Sequence, residues 1–155
     1  MTSQVATGSG IEKTGQCLCG SVKFSCKPQT HDDQKLHVDA CHCGMCARLV
    51  SGAFMGITLQ EPPVVEDGSS LAVYSSSDWA ERLFCKTCGA NLFYRMKNGG
   101  LQTVAAGTLS DLDGAALTLE IFTDEKPAYY DFAQSTKKMT GAEVMAVFAN
   151  DGSAS

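Results

Sequence analysis

Apolar residues recur at every second position through much of the chain. In SVKFSC, Val22, Phe24 and Cys26 alternate with polar neighbours, the two-residue repeat of a half-buried strand. LHVDA, AFMGITL, LAVYS, NLFYR, LQTVAA and ALTLEIF are further short runs rich in β-branched and aromatic residues. They are separated by PQTHDD, QEPPVVEDGSS, KNGG and SDLDG, which supply the Gly, Pro, Asn and Asp that turns require. The pattern predicts an antiparallel β domain with little helix. One helix is signalled late: Thr140-Gly-Ala-Glu143 has the form of a capping box, and the apolar Val144, Met145, Val147 and Phe148 follow it. This short C-terminal helix is expected to dock on the sheet and to carry no chemistry.

Residues 1–13 are mostly small and polar and are expected to form a flexible N-terminal tail. Residues 14–149 then form a single domain, and 150–155 a frayed C-terminus. No repeat or interdomain linker interrupts the pattern. A chain of 155 residues with 44% apolar content has enough material for one core.

Charge narrows the range of partners. Twelve Lys and Arg stand against 17 Asp and Glu, a formal net charge of −5, and the basic residues are scattered. Nucleic acids and anionic membranes need a positive footprint, so neither is expected as a partner. The first residues have no charged segment leading into an apolar run, and the expectation is a soluble, cytoplasmic protein.

Eight cysteines change the picture. In a reducing compartment, closely spaced cysteines serve as metal ligands or redox groups more often than as disulfides. A secreted disulfide domain is the competing reading, although bridges within C-x-C pairs would be strained. With Cys26 set aside, three clusters remain: Cys17-Leu-Cys19, Cys41-His-Cys43-Gly-Met-Cys46 and Cys85-Lys-Thr-Cys88. Seven ligands are one short of two complete tetrahedral sites. A structural zinc takes four protein ligands and a catalytic one normally three, so a partition into four and three uses every ligand. Spacing alone does not fix which cysteines go where. The compact C-x-C-x-x-C run can nevertheless present three sulfurs from a single turn, and the two pairs can complete each other as Cys17, Cys19, Cys85 and Cys88. Gly20 and Gly89, each just after a pair, suit the turn that aims backbone N–H groups at thiolates. The alternative makes His42 a fourth ligand and closes both sites. Redox dithiols and an iron–sulfur cluster stand as further alternatives.

Taken together, GQCLCGSVKF, ACHCGMCARLVSGAF, RLFCKTCGANLF and AAGTL, in this order and spacing, resemble the family of glutathione-dependent formaldehyde-activating enzymes (GFA). The resemblance runs from about Thr14 to about Phe132. It implies a mainly β fold of several coiled antiparallel sheets, sometimes called a β-tent, organised around two zinc ions per chain. In that scheme Cys17, Cys19, Cys85 and Cys88 hold a structural zinc, and Cys41, Cys43 and Cys46 hold a catalytic, open one. It also implies a carbon–sulfur lyase that adds glutathione to formaldehyde to give S-hydroxymethylglutathione. The chain departs from many members at EKPAYYDF, where they carry a tryptophan, which leaves open whether Tyr129 and Tyr130 line a pocket.

An open zinc can bind a substrate thiolate or polarise an aldehyde oxygen. Three thiolates leave one net negative charge on such a site and favour sulfur in the fourth place, so binding of a small thiol comes first. Glutathione carries two carboxylates, and Arg48, two residues beyond Cys46, is the leading cation to meet them. Arg82 and Arg95 are weaker candidates for the same task. His42 is either a general acid–base or a structural residue. Cys26 is expected to be a buried structural thiol. His31 and His37 are expected on the surface or in strands, and Trp79 at a core, rim or pocket wall. Two other functions compete with the enzyme: a thiol-binding carrier that catalyses nothing, and a structural zinc domain that binds other proteins. The oligomeric state is not readable from the sequence.

Overall fold

A computed structural model describes residues 11–150. Most of the expected N-terminal tail and the last five residues lie outside that range. Two sheets form the molecule. The smaller has three strands: β1 (Lys13–Gln16) pairs antiparallel with β2 (Lys23–Cys26), and β2 with β5 (Val64–Val65). The larger has eight. Its strands are β3 (Leu36–Cys41), β4 (Phe54–Thr58), β6 (Leu71–Ser75), β7 (Ala80–Cys85), β8 (Asn91–Met96), β9 (Gln102–Ala105), β10 (Ala115–Ile121) and β11 (Lys137–Met139). Their order across the sheet is β11-β10-β3-β4-β9-β8-β7-β6.

The seven runs picked out in the sequence become β2, β3, β4, β6, β8, β9 and β10, whereas β1, β7 and β11 were not among them and β5 falls within QEPPVVEDGSS, read as a turn. Pairing is antiparallel except around β10. That strand runs parallel to both β3 and β11. It reaches β3 by a crossover after β9 and not through a hairpin, and a crossover is the connection parallel neighbours need.

Register partners share a face of the sheet. Leu83, Phe93, Val104 and Ile57 are successive partners across β7, β8, β9 and β4 and are all buried. This inner face packs on the small sheet, where Val22, Phe24 and Cys26 are buried as their alternation predicts. Phe24 meets Phe93 edge to face, with centroids 4.8 Å apart. Gly15 is what admits the Phe24 ring: a Cβ there would lie 2.4 Å from its Cζ. On the opposite, outer face Arg82, Tyr94, Thr103 and Thr58 are successive partners, and Cys41 is paired with Phe54 two residues before Gly56.

Two α-helices accompany the sheets among the described residues. Helix α1 (Gly44–Val50) begins within the middle cysteine cluster and runs past it, where the sequence reading expected only a turn. Helix α2 (Gly141–Asn150) is the anticipated C-terminal one. Thr140 Oγ1 accepts the Glu143 N–H at 3.3 Å, as a capping box requires. Of the four apolar residues after the cap, Val144 is buried, whereas Met145 and Val147 are exposed. The helix packs on β11 and on the turn at 123–125, at one edge of the large sheet.

Candidate metal centres

The seven clustered cysteines gather into two groups. In the first, Cys17, Cys19, Cys85 and Cys88 bring their Sγ atoms within 4.8 Å of one another. Cys17 and Cys19 sit in the turn between β1 and β2, Cys85 and Cys88 at the end of β7 and the turn into β8. The two turns are alike. Gly20 and Gly89 both adopt φ of +79°, a left-handed conformation that glycine enters without cost. Each turn aims backbone N–H groups at sulfur: Val22 N donates to Cys17 Sγ at 3.3 Å, and Cys88 N to Cys85 Sγ at 3.5 Å. Cys88 is pulled down to about 6 by N–H groups of Ala90 and Cys19. The Cys17–Cys19 and Cys19–Cys85 sulfur distances are 3.7 and 3.8 Å. A tetrahedral thiolate shell with metal–sulfur bonds of about 2.3 Å has edges of about 3.8 Å, so the spacing suits a closed four-sulfur site.

In the second group, Cys41, Cys43 and Cys46 also have Sγ atoms within 4.8 Å of one another. Cys41 ends β3, Cys43 is the N-cap of α1, and Cys46 lies in its first turn. The helix exists because of the cap: Cys43 Sγ accepts the Cys46 N–H at 3.4 Å, as a serine or aspartate oxygen does elsewhere. At the other end Ser51, with φ of +59°, closes α1 in the left-handed region. The three thiols titrate together. Cys43 is held well below the ordinary thiol range because Cys41 and Cys46 donate to its sulfur, which outweighs burial, with the Cys46 N–H and the Arg82 charge adding to the effect. Cys41 is driven far up, chiefly because it is the donor to Cys43 and to Cys46. The hydrogen bonds and the Arg82 charge thus favour the thiolate at Cys43. Phe54 and Phe122 pack around the sulfurs and shield them.

Neither group includes His42. Its side chain is fully buried, and both ring nitrogens are engaged elsewhere: Nε2 with Glu120 Oε1 at 2.9 Å and Nδ1 with the Tyr130 hydroxyl at 2.9 Å. Burial would push Glu120 up, but hydrogen bonds from Thr136 and His42 and the nearby Lys138 outweigh it and hold the carboxyl below its usual range. His42, Tyr129 and Tyr130 line a cavity of about 100 Å³ with Ala47, Ser51, Gly52 and Pro127. That places both tyrosines of EKPAYYDF at a cavity wall.

The three arginines have separate fates. Arg48 is exposed on α1, and its Nη1 and Glu125 Oε1 both reach the space above Gly44. Among the described residues it makes no hydrogen bond or ion pair. Arg95 is occupied by Glu81, Nε to Oε2 at 2.7 Å. Arg82 is the one that reaches a cysteine: it is 4% exposed, and its Nη1 lies 3.6 Å from Cys46 Sγ. Sequence reasoning ranked it below Arg48: with Glu81 beside it in AERLFC, no local pattern marks Arg82 as buried. Glu120 was passed over altogether, and only contacts 78 positions apart reveal it.

The other candidates settle simply. Cys26 is buried, and burial raises its thiol to about 11, so it stays protonated and inert. Trp79 is exposed at 52% and lines neither cavity. His31 and His37 stack with centroids 3.6 Å apart and help to line a larger cavity of about 330 Å³, with Asp39, Thr58 and Lys137 among its walls. None of the described helices is long and apolar enough to cross a membrane.

Similarity to known proteins agrees with this geometry. A family model described as glutathione-dependent formaldehyde-activating enzyme matches residues 12–125. A protein of Schizosaccharomyces pombe named as an uncharacterized lyase is 32% identical over 135 residues, covering 86% of this chain and 95% of its own. A crystal structure of a Rhodobacter sphaeroides protein shares the fold with a TM-score of 0.50 at 21% identity, over 64% of this chain and 90% of that one. Both cysteine groups lie inside the matched segment, and the chain belongs to the glutathione-dependent formaldehyde-activating enzyme family.

Proposed function

We propose that the protein is a zinc-dependent carbon–sulfur lyase-type enzyme acting on an adduct of glutathione or another small thiol, such as S-hydroxymethylglutathione formed from formaldehyde. In this reading Cys17, Cys19, Cys85 and Cys88 hold a structural zinc, and Cys41, Cys43 and Cys46 hold the catalytic one. The observation that carries it is the orientation of His42. Its ring is spent on Glu120 and Tyr130, so the triad offers three donors and no fourth among the described residues. A zinc ion bound by three thiolates supplies an open position that keeps a small thiol ionised and can polarise an aldehyde oxygen.

The protein's own residues do the rest. Phe54 and Phe122 exclude water around the sulfurs, which strengthens electrostatic interactions there. The Glu120–His42–Tyr130 chain fixes the segment between Cys41 and Cys43, so that both sulfurs point the same way. Arg48, exposed at the end of α1, is placed to meet a substrate carboxylate near the rim.

Metal analysis and kinetics test the reading. Purified protein is expected to carry two zinc ions per chain, one readily taken by a mild chelator, and to speed formation of S-hydroxymethylglutathione. Cys43→Ser is expected to lose the labile ion and the activity while keeping the other ion. Background rates from fully loaded protein would make it a thiol carrier, and a single inert zinc would make it a structural domain.

A further inference from the structure

The second cysteine group contains a buried cation whose partner is not a carboxylate. Arg82 stands on the outer face of β7, stacked over the Tyr94 ring at 4.6 Å from its centroid. No carboxylate pairs with it among the described residues, and its Nε has no hydrogen-bond partner. A buried charge without a counter-charge is strongly disfavoured. Among the described residues, the only anion within reach is the sulfur triad, which Arg82 meets at Cys46. The need is mutual. Three thiolates and a divalent ion sum to one net negative charge; the soft ligand set favours sulfur in the fourth place, but the charge opposes the approach of that sulfur as a thiolate.

We propose that Arg82 is the residue that sets the ligand preference of the triad. By cancelling the surplus negative charge, it lets the ion held there accept an anionic fourth ligand, a thiolate, in preference to a neutral one. This rests on the reading that the triad binds a divalent ion. Arginine suits the position because the guanidinium stays charged when buried and its plane stacks on the tyrosine. Arg82 acts through the ion and Cys46, so it is a positioning residue and does not contact the reacting atoms.

Cobalt(II)-loaded protein tests this without reference to turnover. The visible spectrum at fixed pH is followed while 2-mercaptoethanol, which binds as a thiolate, or imidazole, which binds neutral, is added. In Arg82→Gln the thiol is expected to bind at least about tenfold more weakly while imidazole affinity stays within about twofold. Arg82→Lys, which keeps the charge, is expected to restore most of the thiol affinity. Equal losses for both ligands would make Arg82 a packing residue and overturn the proposal, as would no loss for either. If Arg82→Gln does not fold, Arg82→Lys is compared with wild type alone: a retained thiol preference supports the proposal, and its loss overturns it. A wild-type protein that binds cobalt only at the four-sulfur group would overturn the metal reading itself, whereas normal loading with unchanged thiol preference overturns this proposal alone.

Discussion

Asp39 shows how a residue can work against its own fold. It lies on β3 two residues before Cys41, is half-buried against the larger cavity, and is raised to about 6 by desolvation, which the nearby His37 only partly offsets. A carboxyl with a raised folded pKa binds its proton more tightly in the native state than in the unfolded one. Stability linked to Asp39 is therefore greatest below about pH 4 and falls as pH rises through about 6. After discounting for its partial exposure, ionised Asp39 costs about 1–2 kcal/mol. Asp39→Asn is expected to stabilise the protein by that amount at pH 7 and by almost nothing near pH 4, in paired denaturation curves at each pH. At this scale the sequence was legible for sulfur and less so for charge. Cysteine spacing exposed all seven clustered residues, because a metal shell demands them in sets. Arg82, Glu120 and Asp39 owe their environments to strands that meet only after folding, and no local spacing encodes that.

At the scale of elements, the apolar patterns found seven of the eleven strands, and they missed the short β1, β5 and β11 and the charge-bearing β7. They missed α1 because seven residues beginning at a cysteine cap carry too little apolar periodicity to register. The parallel partners of β10 escaped for a different reason: a crossover leaves no mark of its direction in a local pattern. Strand β4 offers a direct test of how tightly the elements fit. A Cβ at Gly56 would lie 2.4 Å from Thr103 Cγ2 and 2.9 Å from the Phe54 ring. Gly56→Ala is expected to cost about 1–3 kcal/mol by overpacking, read from the urea midpoint. Because Phe54 packs on Cys43 and Cys46, the same variant is expected to release metal from the triad more readily than from the four-sulfur group. Helix α2 should behave as an independent appendage. Thr140→Ala removes its cap and is expected to cost about 1 kcal/mol with no change at either cysteine group, checked by thermal denaturation and metal retention.

Across the whole molecule, the four-sulfur group joins the two sheets. Cys17 and Cys19 belong to the small sheet's β1–β2 turn, Cys85 and Cys88 to the large sheet's β7–β8 turn. Exhaustive chelation, or Cys85→Ser, is therefore expected to lower the melting temperature by about 10 °C or more, whereas Cys43→Ser moves it by only a few degrees. The two groups also differ in how far they reach along the chain. The triad spans six consecutive positions, while Cys19 and Cys85 are 66 apart. A chain emerging from the ribosome thus has its three short-range thiols ready to capture a metal before the second half of the clamp has been made. Closing the clamp must wait for the longer loop and for the sheets to meet. Supply of metal during synthesis would then govern two successive events, early loading of the triad and late locking of the fold around it.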